Sequence, residues 1–257
     1  MNDGMDVALP GERQRVIAER LHRDGRVIAA DLAVEFRVSE DSIRRDLRDM
    51  AAQGLCKRVY GGALLMHDVA PLSVRHKENA GLKRSLAQVA AGLVGKGQII
   101  FLDAGSTNSA IAAALPEHHG LTVVTNAPDV ALAVLGRPGF DVLLLGGRVH
   151  PKIGGAIGSL TLRQAQGIRA DLCFPGICAI DPVHGLWTYD SEEVVLKQAI
   201  IEASGETVAV ATPDKLIAAA THHTAPIAAI AHLVVAADTD EAVVAAYRAA
   251  GVAVYRA

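Results

Sequence analysis

The sequence predicts an α/β protein in two parts, an N-terminal winged helix-turn-helix joined to a layered, mainly parallel-sheet, Rossmann-like domain. Three observations carry that expectation. Up to about residue 65, apolar residues recur at helical spacing in short stretches separated by turn signals. From Gln98 onward they come in continuous runs that alternate with helical stretches, the texture of strands buried on both faces of a parallel sheet. The chain has 257 residues, 51% of them hydrophobic, which suffices for one large or two modest domains with a real core.

Met1–Leu9 is expected to be a disordered tail, and residues 10–65 form the predicted head. Its first helix spans about Glu12 to Arg23, with Val16, Ile17 and Leu21 on the apolar side and Gly25 at its end. A second short helix carries Leu32, Ala33 and Phe36. Arg37-Val38 makes the turn, and Ser39 caps the third helix, its hydroxyl placed to accept from a free N–H of the first turn. Glu40 and Asp41 follow where the helix dipole favours negative charge. Ile43, Leu47, Met50 and Ala51 share one buried face, and Gly54 is the expected C′ residue.

Off that stripe lie Ser42, Arg44, Arg45 and Arg48. Such a surface suits the DNA major groove, where arginine pairs bidentately with guanine or clamps phosphate. It also suits a solvated face with Asp41/Arg45 and Arg45/Asp49 pairs. The context decides for DNA. Two short helices precede a tight turn and a basic third helix, and Lys57 and Arg58 then open a β-hairpin that turns at Gly61-Gly62. Between Glu12 and Arg58 there are eleven Lys/Arg against nine Asp/Glu, although the whole chain carries a net charge of −3. The expected DNA-contacting residues are Ser39, Ser42, Arg44, Arg45, Arg48, Lys57 and Arg58.

Residues 66–80, with Pro71 and mixed charge, read as a linker with a short docking segment around Arg75, and 81–257 as the α/β domain. A helix over Lys83–Val94 precedes the strand Gln98–Asp103. Further strands are expected at Leu121–Thr125, Asp141–Leu145, Leu172–Phe174, Thr207–Ala211, His232–Ala236 and Val252–Tyr255. Helices at Asn108–Leu115, Pro128–Leu135, Glu192–Ala203 and Asp240–Ala249 separate most of them.

Ligands bind such sheets beyond the carboxyl ends of the strands. The first strand ends in Asp103-Ala104-Gly105-Ser106-Thr107-Asn108 and enters a helix, which combines close backbone approach, two hydroxyls and a helix N-terminus, a set suited to phosphate. Asn126, Gly146-Gly147 and Lys215 stand at other strand tips expected on the same edge. Gly, Ser, Thr, Asn and Asp also populate ordinary βα turns, so the first loop alone assigns no ligand. No P-loop lysine and no G-x-G-x-x-G follows the strand, which disfavours nucleotides.

Cys56, Cys173 and Cys178 lack zinc-type spacing and read as small buried or half-buried residues in a reducing cytoplasm. His118-His119 and His222-His223 read as loop residues rather than metal ligands. No charged-then-apolar leader opens the chain, and no apolar run has the length of a membrane span.

From Glu12 to Ala63 the chain resembles the DeoR family of bacterial transcription regulators. The resemblance rests on Gly25-Arg26-Val27, Asp31-Leu32-Ala33, Phe36, Val38 through Leu47, Gly54-Leu55 and Arg58 through Ala63. The second half is similar to that family's sensor domain, in fold like ribose-5-phosphate isomerases and glucosamine-6-phosphate deaminases. The residues there are Lys83, Leu102 through Thr107, Thr125-Asn126, Gly146-Gly147, Asp171, Phe174, Gly176, Asp181, Gly185-Leu186, Glu193, Lys197 and Lys215.

Three departures stand out: the usual Gly-Thr-Thr-Thr is Gly105 through Asn108, the usual wing His is Tyr60, and Ala211-Thr212 stand where Asp is common. The resemblance implies a cytoplasmic repressor of sugar-metabolism genes, associated with the nucleoid when bound to double-stranded operator DNA. It implies a small phosphorylated sugar as effector; a dimer or tetramer is expected because one small helix-turn-helix makes too few contacts alone, and no cofactor, metal or membrane partner is expected, a metal sensor lacking a ligand cluster. The implied effector-binding residues are Asp103, Gly105, Ser106, Thr107, Asn108, Asn126, Gly146, Gly147 and Lys215. The alternative is a phosphosugar isomerase or deaminase with a DNA-binding head. Such chemistry needs a carboxylate base, and no Asp or Glu lies between Asp171 and Asp181, where the related isomerases carry an acidic cluster.

Overall fold

The structure, a computed structural model, describes residues 10–53, 55–65, 70–218 and 220–257. The expected tail, Gly54 and the first four residues of the expected linker lie outside these. The chain divides into two compact units, residues 1–68 with 217–219, and 69–216 with 220–257.

In the first unit the order is α1 (Pro10–Asp24), β1 (Arg26–Ile28), α2 (Ala29–Phe36), α3 (Glu40–Ala52), β2 (Cys56–Val59) and β3 (Gly62–Leu65). Ile17, Leu21, Leu32, Ile43, Leu47 and Met50 are buried together, so the face expected of α3 is the one it buries. Burying each such side chain stabilises by roughly 1.5–3 kcal/mol. The Ser39 side chain accepts from Ser42 N–H at 3.2 Å, the expected cap. β3 lies between β1 and β2 in an antiparallel sheet, which makes the wing three-stranded. Gly62 permits this: a Cβ there would stand 2.0 Å from the Val27 carbonyl oxygen.

The second unit runs α4 (Leu72–Arg75), α5 (Ala80–Ala91), β4 (Ile99–Leu102), α6 (Ser106–Ala114), β5 (Leu121–Thr125), α7 (Pro128–Val134) and β6 (Phe140–Leu144). It continues with β7 (Arg148–Val149), β8 (Ala156–Ile157), α8 (Ser159–Gln166), β9 (Ala170–Phe174), β10 (Ala179–Asp181), β11 (Gly185–Thr188) and α9 (Ser191–Glu202). Last come β12 (Ser204–Val210), α10 (Pro213–Ile217), β13 (His222–Ala225), β14 (His232–Val235), α11 (Glu241–Ala249) and β15 (Ala253–Arg256). Seven strands form a parallel sheet in the order β15-β14-β12-β9-β4-β5-β6. The apolar runs read as strands are its interior: Ile100, Leu102, Val123, Val124, Phe174, Val208, Leu233 and Val234 are fully buried.

One reading changes, and the expected docking segment takes shape. His222 and His223 are strand residues, paired with Thr188 and Trp187 of β11 in a small antiparallel sheet β10-β11-β13. Polar His-His-Thr carries no strand pattern of its own; β11 supplies the ladder, and the His223 ring meets the Trp187 ring edge-on at 5.0 Å between centroids. Residues 70–80 of the expected linker hold α4, whose Arg75 donates to the carbonyls of Ala70, Lys152 and Ile153.

Candidate functional site

On α3, the residues expected to meet DNA divide by their partners. Arg44 donates to Glu40 at 2.9 Å and to Asp41 at 3.4 Å, so its guanidinium is paired along its own helix. Arg45 and Arg48 are exposed and carry no ion pair among the described residues; the anticipated Asp41/Arg45 and Arg45/Asp49 pairs do not form. Ser42, half-buried, is 3.0 Å from the Ser39 hydroxyl. Lys57, Arg58 and a fully exposed Tyr60 line the wing. Arg13 of α1 binds Asp46 of α3 at 2.5 Å with both side chains buried, a clamp that fixes the rotation of α3 and hence where Arg45 and Arg48 point. Nothing local in the sequence announces this pair, which is separated by 33 residues.

In the second unit the tips of β4, β5 and β9 converge. Asp103, buried, accepts from Ala104 N–H at 2.7 Å through one oxygen, and from Gly176 N–H at 2.8 Å and the Lys197 ammonium through the other. Lys197 also pairs with Glu193 at 3.2 Å. Burial lowers the Lys197 pKa, but Asp103, and after it Glu193, outweigh that and raise it above the ordinary lysine value. The Thr188 hydroxyl donates to the second Glu193 oxygen at 3.3 Å and lies 3.4 Å from the Cys178 thiol. Gly176 is obligatory in this packing, since a Cβ there would lie 2.5 Å from the Ala104 carbonyl and 3.0 Å from the Lys197 ammonium.

Beside this ionic core lies the loop into α6. Gly105 has φ +157, and a Cβ built on it meets nothing within 4 Å, so the space above it is open. The N–H groups of Ser106, Thr107 and Asn108 belong to the first turn of a nine-residue helix, beyond reach of its carbonyls. The Asn108 side chain does not share in this opening: it is buried and donates to the carbonyls of Asp103 and Phe174. Asn108 and Asp103, both expected to touch an effector, hold β4 against β9 through groups bonded inside the protein.

Asn126 is buried, donates to the Ala156 carbonyl at 3.1 Å, and keeps a buried side-chain oxygen with no partner among the described residues. A Cβ on Gly155 would lie 2.5 Å from Ala104 Cβ and 3.0 Å from the Asn126 amide, so the 150s loop closes on the same tips. Gly146 and Gly147 serve α8: Thr161 donates to the Gly146 carbonyl at 2.9 Å, and Gly146 N–H donates to Gln164 at 2.8 Å. Gly147 lines a cleft of about 430 Å³ with Arg148, Ile157, Gly158, Ser159, Leu160 and Glu192, none of them from the Gly105 loop.

Lys215 pairs with Asp214 at 3.2 Å, and its charge is felt by Lys83 and Cys178. Lys83, held below the ordinary lysine value by burial first, donates to the Arg75 carbonyl. Glu193 and Lys197 enter the sequence reading only through the resemblance. Their i,i+4 spacing puts them on one helix face, but nothing local shows that this face meets Asp103, 94 residues away. No group of three or more His, Cys, Asp or Glu among the described residues is placed to hold a metal, and none of the described helices is long and apolar enough to cross a membrane.

A basic helix-turn-helix with a wing, followed by an α/β unit whose strand tips gather cations and open helix N–H groups, defines a DNA-binding regulator with a sensing domain. The chain belongs to the DeoR family of transcriptional regulators. The DeoR-like helix-turn-helix domain matches residues 13–69, and the DeoR C terminal sensor domain matches residues 78–237. It is 34% identical over 206 residues to the glycerol-3-phosphate regulon repressor of Escherichia coli (strain K12), covering 79% of this chain and 82% of that one. Over 212 residues it is 32% identical to the HTH-type transcriptional regulator GlpR of Haloferax volcanii, covering 81% and 82%. Ribose 5-phosphate isomerase A from Methanocaldococcus jannaschii overlaps 54% of the chain and 55% of its own, at 15% identity and a TM-score of 0.38.

Proposed function

We propose that this regulator represses genes of sugar metabolism and is released from its operator by a phosphorylated sugar bound at the Gly105 loop. One observation carries the reading: an open glycine heads α6 where three first-turn N–H groups and two hydroxyls stand together. Phosphate sits on those donors. Lys215 supplies a flexible cation, and the unpartnered Asn126 oxygen takes a sugar hydroxyl, because a buried acceptor without a donor is costly. Relatives that bear the names of a glycerol-3-phosphate regulon repressor and of a transcriptional regulator support the class.

The protein does no chemistry on the sugar. An isomerase base needs a free carboxylate poised near neutral pH. Asp103 and Glu193 are held by Lys197; partial desolvation raises the Asp214 pKa, but the Lys215 ammonium and neighbouring donors outweigh it and keep this exposed carboxylate below the ordinary range. Thermal shift of the full chain against glycerol 3-phosphate, fructose 6-phosphate and glucosamine 6-phosphate is expected to raise the midpoint for at least one, with no turnover of any. Turnover at an enzymatic rate would establish the isomerase reading instead. No shift with any phosphorylated sugar would remove the effector.

On DNA, Arg45 and Arg48 contact guanine or phosphate, with Lys57 and Arg58 on the backbone. The protein acts in the cytoplasm, on the nucleoid, as a dimer or tetramer, because one small head reads too few bases alone. Edge strand β6 exposes Leu143 and Leu144, and neighbouring α7 and the residue that caps it expose Leu132 and Leu135, an apolar border suited to a second copy. Footprinting on duplexes selected from a random pool should show two half-sites about one helical turn, or a multiple of it, apart. Arg45→Ala should weaken binding by about 1–3 kcal/mol. A lone half-site, or unchanged affinity of both Arg45→Ala and Arg48→Ala, would contradict this arrangement.

A further inference from the structure

α4 is four residues long, yet Arg75 and the adjoining His76 are bonded outward along two routes that both end at the strand tips. On the first, His76 Nε2 lies 3.1 Å from Asp129 Oδ2, and the same oxygen accepts from the Ser109 hydroxyl on α6. That hydroxyl is also 3.1 Å from the Gly105 carbonyl. It has one proton and two acceptors, so it can favour either the loop or Asp129. The other Asp129 oxygen is buried with no partner among the described residues, which leaves this carboxylate short of a donor.

On the second route, Arg75 Nη2 donates to the carbonyls of Lys152 at 2.8 Å and Ile153 at 3.0 Å. Leu72 packs onto Gly154, where a Cβ would lie 2.1 Å from Leu72 Cδ2. The next residues reach Asn126: the Ala156 N–H donates to the Asn126 carbonyl at 2.7 Å, and the Ala156 carbonyl accepts from the Asn126 side-chain amide at 3.1 Å.

We propose that Arg75 and His76 are positioning residues that transmit the occupancy of the Gly105 loop to the segment from which the DNA-binding head extends in sequence. An anion on the N–H groups of Ser106–Asn108 fixes the Gly105 peptide and commits the Ser109 proton. Asp129 then holds His76 in one arrangement, while Arg75 keeps α4 seated on the 150s loop. The effector thereby favours one state of α4 over another, the differential interaction that any ligand-driven shift requires. This rests on the reading of the Gly105 loop as an anion site, and the experiment separates the two.

Hydrogen exchange of the full chain is followed at residues 72–78 and 105–109, with and without inorganic phosphate. Ser109→Ala is expected to speed exchange at Val74–His76 about fivefold, and His76→Phe to do the same at Ser106–Ser109, the scale of one net hydrogen bond. His76→Gln, which retains a donor toward Asp129, should restore wild-type rates. Phosphate should slow exchange in both segments of the wild type, but only in 105–109 of His76→Phe. Absence of protection at 105–109 in the wild type would refute the anion site itself. Protection there without any effect at 72–78, or Ser109→Ala leaving α4 unchanged, would overturn the coupling.

Discussion

Lys197→Ala is expected to destabilise the sensor unit by about 3–5 kcal/mol, because it strands Asp103 and Glu193 in a water-poor site without their shared cation. Lys197 is 3% exposed and Asp103 2%, so solvent screening offers little relief. Trp187, the single tryptophan of the chain, lies on β11 and reports unfolding of this unit in urea. The uncompensated charge is the main cost. The neutral triple variant Lys197→Met/Asp103→Asn/Glu193→Gln should therefore lose less than Lys197→Ala alone. A loss below about 1 kcal/mol, the range of exposed pairs, would mean that water reaches this cluster freely.

That cluster also marks where sequence reasoning stopped. The elements that were legible are those announced locally. Ser39 caps α3, Ile43, Leu47 and Met50 bury its inner face, and the apolar runs at Ile99–Leu102 and Leu121–Thr125 form strands wherever a sheet buries both faces. Boundaries moved by one to three residues, as at β12, which begins at Ser204 rather than Thr207. The strand order was not legible, because parallel pairing is set by packing between distant segments. The same limit applied to the site. Gly105, Ser106 and Thr107 could be read from a strand-to-helix loop, but the fates of Asp103 and Asn108 depend on Lys197 and Phe174, which no local pattern brings to them. β13 was hidden for a related reason: its ladder and ring contacts come from β11, and His222-His223 alone has no alternation.

The contrast between the two lysines gives the sharpest functional expectation. Lys215 is partly exposed and paired with an exposed Asp214, so removing it should change stability by no more than about 1 kcal/mol. Ser106 is the first residue of α6, and its hydroxyl has no partner among the described residues on which the fold relies. The double variant Ser106→Ala/Lys215→Ala should therefore fold, bind its selected duplex with nearly wild-type affinity, and ignore the phosphorylated sugar that releases the wild type. The lost response corresponds to a coupling of about 1–3 kcal/mol, a 5- to 150-fold change in DNA affinity between free and effector-saturated protein. Operator titrations with and without the sugar phosphate measure it directly. If Lys215→Ala alone abolished DNA binding while Trp187 reported an intact sensor unit, Lys215 would support the DNA-binding state rather than read the effector. A full response in the double variant would move the effector away from the Gly105 loop, and the 430 Å³ cleft at Gly147 and Arg148 would be the next place to test.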